Sequence, residues 1–219
     1  MSEAGDNMSS NESLKDAISE SVQQDKDIRT RVRDTTLLAL NSRSLDTKEM
    51  KSVIKSVTEG INLGLDKRAG EIKTALSEAI AGLDEALMKS AEATHLALRQ
   101  LTSQSKDFSD HELKDALDTL KSLEEEFLST ASQVAEGASS KIKQEMNDLI
   151  THARRAGTDT GTKVAEAVNE FASRMKTSLD GGTTTGKEAA REVSKRLAVI
   201  ASGILSGLAD ALHEKSGKK

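Results

Sequence analysis

The sequence predicts an all-α fold, an elongated antiparallel helical hairpin or coiled-coil-like bundle of about five helices, and three observations predict it. The 219 residues contain no proline, where about eleven are expected at a usage near 5%, so no residue forces a helix to break. Only Phe108, Phe127 and Phe171 are aromatic, and strands favour aromatic and β-branched side chains. Apolar residues recur at helical spacing over long stretches.

Residues 1–11 are polar and small, and are expected to form a disordered tail. A first helix then carries Leu14, Ile18, Ile28, Val32, Leu37, Leu38 and Leu40, although Ser21 and Asp25 fall on its apolar stripe. Asn41–Asp46 reads as a turn, and Asp46 with Glu49 three residues on forms a capping box that opens the next helix.

That second helix carries an eleven-residue repeat. One column is Ile54, Leu65, Leu76, Leu87 and Leu98, and a second is Met50, Ile61, Ile72, Leu83 and Thr94. A third column, Val53, Gly64, Ala75, Ala86 and Ala97, is mostly small. Eleven residues make three turns at about 3.67 per turn, close to the natural helix period. Lys67–Gly70 resembles a helix C-terminus, but the phase runs through it, so one unbroken helix over 47–103 is expected, about 85 Å long. Its four glycines, Gly60, Gly64, Gly70 and Gly82, cost an isolated helix about 4 kcal/mol against alanine. Close approach of another backbone is the simplest reason for them.

A third helix is expected over 110–155, after a capping box at Ser109 and Glu112, with a stripe from Leu113 to Ala153 that shifts phase near Ala138. It should lie antiparallel to the second. Gly157–Gly161 punctuates the chain before a short helix with Val164, Val168, Phe171 and Met175. A second Gly/Thr loop, Asp180–Gly186, leads to a last helix ending near His213. The expected organisation is thus a tail over 1–11, a long-helix bundle over 12–156 and a C-terminal helical segment over 157–219.

Composition narrows the function classes. Hydrophobic residues make up 36% and charged residues 31%, too polar a mixture for one large round core. The net charge is −5. Met1–Asp27 holds seven acids against two bases, and Lys141–Lys219 holds fourteen bases against ten acids. So mild a basic excess, with no aromatic platforms, argues against a nucleic-acid partner. The absence of cysteine excludes disulfides and thiolate metal sites and fits a reducing cytoplasm, the expected location. No secretory signal is expected at Met1–Asn7. The longest uncharged apolar stretch, Leu197–Ala209, has thirteen residues, short of the roughly 17–25 that span a bilayer.

No motif supplies a catalytic, cofactor or metal site, and no enzyme is expected. Gly181–Glu188 nearly spells a phosphate-binding loop, but Glu188 stands where a magnesium-binding hydroxyl belongs and a helix precedes it in place of a strand. Glu92 and His95 share a helix face, yet no second Glu-x-x-His spacing occurs, as a di-iron bundle requires. In His152–Gly161, Arg154 and Arg155 are a candidate for holding an anion. The competing reading is that they complement the negative end of a helix, that Gly157 terminates it, and that Thr158 or Asp159 caps the next. The last helix, with Leu197, Ile200, Ile204 and Leu208, is flanked by lysine and arginine, which suits a helix partner or a lipid interface.

Val32–Leu40, Gly82–Leu87 and Thr151–Gly161 resemble an uncharacterised family of all-helical proteobacterial proteins, over about residues 28–180. That resemblance implies a bacterial source and no known activity. The proline-free, Ala/Leu/Ser/Thr-rich composition is more loosely similar to phasins, helical proteins that coat polyester storage granules. The expected function is therefore a non-enzymatic structural or interaction protein, a homo-oligomer or partner of another helical protein. Its interaction residues would be Ile54, Ile61, Leu65, Ile72, Leu76, Leu83, Leu87 and Leu98, with the four named on the last helix. The alternative is phasin-like coating of a storage granule or membrane interface by the same faces.

Overall fold

A computed structural model describes residues 3–24, 26–42, 47–104 and 110–178. Among them the chain is helical throughout: α1 (Glu3–Gln23), α2 (Ile28–Asn41), α3 (Thr47–Asp66), α4 (Ile72–Gln104), α5 (Asp110–Glu136), α6 (Ser140–Ala156) and α7 (Asp159–Ser178). The all-α bundle is as expected, but each long helix read from the sequence is broken by a short turn. The helix expected over 47–103 ends at Asp66 and restarts at Ile72, giving helices about 30 and 50 Å long in place of one of 85 Å. The one expected over 110–155 turns at 137–139, where the stripe shifts phase. The first ends at Gln23 and restarts at Ile28, close in sequence to the interruption of its stripe, and Asp27 takes a left-handed conformation at φ 58°. The segment 3–11 expected as a tail belongs to α1.

Cross-helix pairs give the topology. Asn11 donates to Ser52, Ile18 lies against Gly60, and Val22 against Gly64. The numbers rise together, so α1 and α3 run parallel. Arg29 meets Gly82 and Glu85, and Arg33 meets Glu85, so α2 lies alongside α4. The start of α3 lies beside the early part of α1, where Asn11 meets Ser52, and α3 begins a few residues after α2 ends at Asn41, so α2 folds back along α1. In the same way α4 pairs with α6 through Lys73 and Glu145, and with α7 through Asp84 and Thr160, then His95 and Glu170. The result is three stacked hairpins in two layers. One layer is α1, α3 and α5; the other is α2, α4 and the α6–α7 pair. Helical hairpins stacked like upon like are the principle of α-solenoids.

This arrangement explains why the repeat is strongest in α3 and α4. The middle hairpin is covered on both sides as well as by its own partner, so it needs more apolar surface than an end hairpin. Met50, Val53, Ile54, Val57, Ile61 and Leu65 are all buried in α3, whereas α2 buries a single i, i+4 line of Ile28, Val32, Thr36 and Leu40. Alanine and glycine set the spacing between layer neighbours. A Cβ on Gly60 would stand 2.6 Å from the Lys15 carbonyl oxygen, and one on Gly64 2.7 Å from that of Ser19. The close backbone approach expected from the glycines is thus present, with α1 as the neighbour of Gly60 and Gly64 and α2 as that of Gly82. Gly70 has a different role, in the turn between α3 and α4. There Arg68 donates to the Val22 carbonyl at 2.7 Å, satisfying an end group of α1.

Partly buried ion pairs tie the second layer. Glu85 receives Arg29 at 3.1 Å and Arg33 at 3.2 Å. Burial pushes the Glu85 carboxyl up, but the hydrogen bonds and charges of the two arginines outweigh it and hold it below its usual range. Arg33 is held above its ordinary value, first by its hydrogen bond to Asp34. Because the folded-state pKa of Glu85 is depressed, this pairing adds stability above the ordinary carboxylate pKa and loses it as pH falls through the folded value. Glu85→Gln should cost about 1–2 kcal/mol at neutral pH, between exposed and buried pairs because Arg29 is half exposed. Urea titrations from pH 7 towards pH 3 should show that gap closing at the acid end. A gap that stays constant would rule out the pairing as its source.

Candidate functional site

The residues expected to meet a partner lie inside the fold. Ile54, Ile61, Leu65, Leu76, Leu83, Leu87 and Leu98 are at most 1% exposed, and Ile72 is partly buried against the same cluster. They are brought together, but in the chain's own core. Leu197, Ile200, Ile204 and Leu208 lie outside the described residues, as do the Gly181–Glu188 loop and the last helix. Large apolar side chains that do face outward are Leu38 on α2, 70% exposed, and Leu96 on α4.

The densest polar constellation is the seam where α7 meets α4 and α5. Gly157, at φ 84°, donates to the Ala153 carbonyl at 2.8 Å and ends α6, as expected of it. Thr158 then caps α7: its Oγ1 accepts from the Gly161 N–H at 2.8 Å. The same hydroxyl donates to Glu124 Oε1 of α5 at 2.7 Å. The Asp84 carboxylate of α4 accepts the next two amides, from Asp159 at 2.9 Å and Thr160 at 3.1 Å. The Thr160 hydroxyl returns a bond to the Asp84 carbonyl at 3.0 Å. Two carboxylates from two other helices thus occupy the positive end of α7, the place where an external anion would bind. A Cβ on Gly161 would collide with the Glu124 carboxylate.

Arg154 and Arg155 stand in the last turn of α6, both exposed. They complement that helix end, while the amides beyond them are already taken by Asp84 and by the Thr158 hydroxyl. Further along the seam, His95 Nε2 lies 2.8 Å from Glu170 Oε2, and Arg99 lies 3.3 Å from the same carboxylate. Lys163 bridges Glu166 at 2.8 Å and Glu92 at 3.7 Å. The hydrogen bond with Glu166 raises the lysine pKa and lowers the glutamate's. Glu92 and His95 therefore each turn to a group on α7. Among the described residues no cluster of three metal-ligating side chains forms. His95 is the helix-contact histidine that its spacing allowed.

Sequence reasoning found Thr158 and Gly157 from their local string but missed Asp84 and Glu124. Glu124 sits in a run of three glutamates and Asp84 in an ordinary helical segment, so neither carries a local signal. Beside the seam, a cavity of about 20 Å³ lies among Ile80, Phe127, Leu128, Ala131, Met146 and Ile150. Its lining is apolar, and its volume is near that of one water molecule.

The chain belongs to DUF6781, a family of unknown function, whose sequence model matches residues 4–214. The match spans all three hairpins and continues past α7. No curated protein and no solved structure matches the chain. Among the described residues, no helix is long and apolar enough to cross a membrane.

Proposed function

We propose that this protein is a non-enzymatic interaction scaffold, a self-contained stack of helical hairpins that meets a helical protein partner, or a second copy of itself, through its outer faces. One observation carries this reading: the apolar columns are consumed in the chain's own core. Burial at this level stabilises each large side chain by about 1.5–3 kcal/mol, so these columns are not free to meet a partner while the fold is intact. Recognition then falls to exposed side chains such as Leu38 and Leu96 and to the charged helix faces around them. Stacked hairpins characteristically present such extended surfaces.

Granule or membrane coating is the second reading, and it requires the hairpins to open so that the same columns face an apolar phase. The polar make-up of the α4–α7 seam favours it to that extent. Light scattering on a size-exclusion column, with and without anionic liposomes, separates the two. The scaffold reading expects one discrete mass, unchanged helicity, and a protein that stays at the bottom of a flotation gradient. Co-flotation at low salt, with loss of the cooperative thermal transition, would favour coating instead.

A further inference from the structure

We infer that α7 is an electrostatic clasp, able to swing away from α4 and α5 about Gly157 while the rest of the stack stays folded. This concerns movement within the chain, and rests on neither functional reading. Three observations on the seam point to it. First, the joint is built to turn. Only Gly157 and Thr158 separate α6 from α7, Gly157 is exposed at positive φ, and a Cβ there would meet nothing within 4 Å.

Second, the docking of the first three turns of α7, residues 159–170, is largely polar. Asp84 and Glu124 hold its first turn, and Glu92, His95 and Arg99 hold its next two turns. Between Asp159 and Glu170, only Val164 and Ala167 are buried apolar residues, with Val168 partly so. The opposite end of the stack is different in kind. There Leu14, Ile18 and Val22 of α1 are buried and Gly60 and Gly64 bring its backbone against α3. Apolar burial is insensitive to salt, whereas charge pairs near the surface are screened over about 10 Å at 0.1 M ionic strength.

Third, the one glycine of α7 faces a side chain and not a backbone: a Cβ on Gly161 would meet the far end of Glu124, which can rotate away, whereas Gly60, Gly64 and Gly82 face backbone atoms of α1 and α2. Undocking therefore exchanges hydrogen bonds at the α7 N-terminus for water without disturbing the close contacts between α1 and α3, or α2 and α4. It also uncovers the part of the apolar cluster that Val164 and Ala167 complete. A clasp of this kind makes exposure of core surface depend on ionic conditions, a low-energy opening distinct from global unfolding.

Hydrogen exchange read by mass spectrometry on the full chain tests this without any partner, so its outcome is independent of whether the scaffold reading holds. Amides of 159–168 should exchange at least tenfold faster than those of α3. They should accelerate several-fold further between 0.05 and 0.5 M NaCl, while α3 does not change. Asp84→Asn with Glu124→Gln should speed α7 by about another tenfold and leave α1 and α3 unchanged. The clasp is refuted if wild-type α7 exchanges at the rate of α3 at both salt concentrations. It is equally refuted if the double variant loosens every helix alike. The salt series on the wild-type protein decides the matter even if the double variant does not fold.

Discussion

Leu76→Asp should abolish the folded monomer. Leu76 is 0% exposed in the cluster that joins the middle hairpin to its neighbours. Truncation there to alanine should already cost about 2–5 kcal/mol. Aspartate adds the expense of a carboxylate with no partner in an apolar site, several kcal/mol more. Domains are stable by about 5–15 kcal/mol, so the sum is comparable with the whole. Read from the sequence alone, this substitution would be expected to dissolve an oligomer. With the side chain inside the fold, the loss should instead be independent of concentration. Circular dichroism melts at two protein concentrations a hundredfold apart should both lack a cooperative transition. A retained transition with only a smaller sedimenting mass would place Leu76 at an interface.

Gly82→Ala should be the most damaging of the small substitutions, against the trend of helix propensity. Alanine is better than glycine in a helix by about 1 kcal/mol, so an unconstrained site would gain. Here the new Cβ would fall on the Arg29 carbonyl oxygen, with the Arg29 carbonyl carbon at 3.1 Å and its Cα at 3.2 Å. All three are backbone atoms, so α2 must move away as a whole, and Arg29 and Arg33 move with it from Glu85. A net loss of about 2–3 kcal/mol is expected, in the range of core overpacking. Gly70→Ala is the control, since its Cβ would meet only the Arg68 guanidinium at 3.3 Å, and it should change stability by less than about 0.5 kcal/mol. Urea midpoints for the two variants should therefore differ widely. Equal midpoints would mean that α2 and α4 do not pack this closely.

The apolar stripes, the close approach at the glycines and the cap at Thr158 were all legible from local spacing. The folding of each long helix onto itself was not, and the reason is physical. An eleven-residue phase says which side of each segment faces apolar surroundings, and two helices on either side of one core satisfy it as well as a single rod does. Leu65 and Leu76 are both buried although the turn at 67–71 lies between them. The local signs were present in Asp25, in Lys67–Gly70 and in the phase shift near Ala138, and periodicity outweighed them. The seam was illegible for another reason. Asp84 reaches Thr160 across 76 residues and Glu124 reaches Thr158 across 34, and no single helix pattern encodes such a pairing.

The like-upon-like stacking also has a consequence for synthesis. As the chain leaves the ribosome, α1 and α2 emerge before α3 and α4, yet the surfaces that bury them belong to α3 and α4. The first hairpin gains its whole neighbour only once the chain has been made as far as Gln104, the end of α4. Each hairpin offers a surface on which the next one settles, and during synthesis the N-terminal surfaces are available earlier. Because each hairpin packs on the one before it, the search at every step is short in sequence, which favours rapid folding.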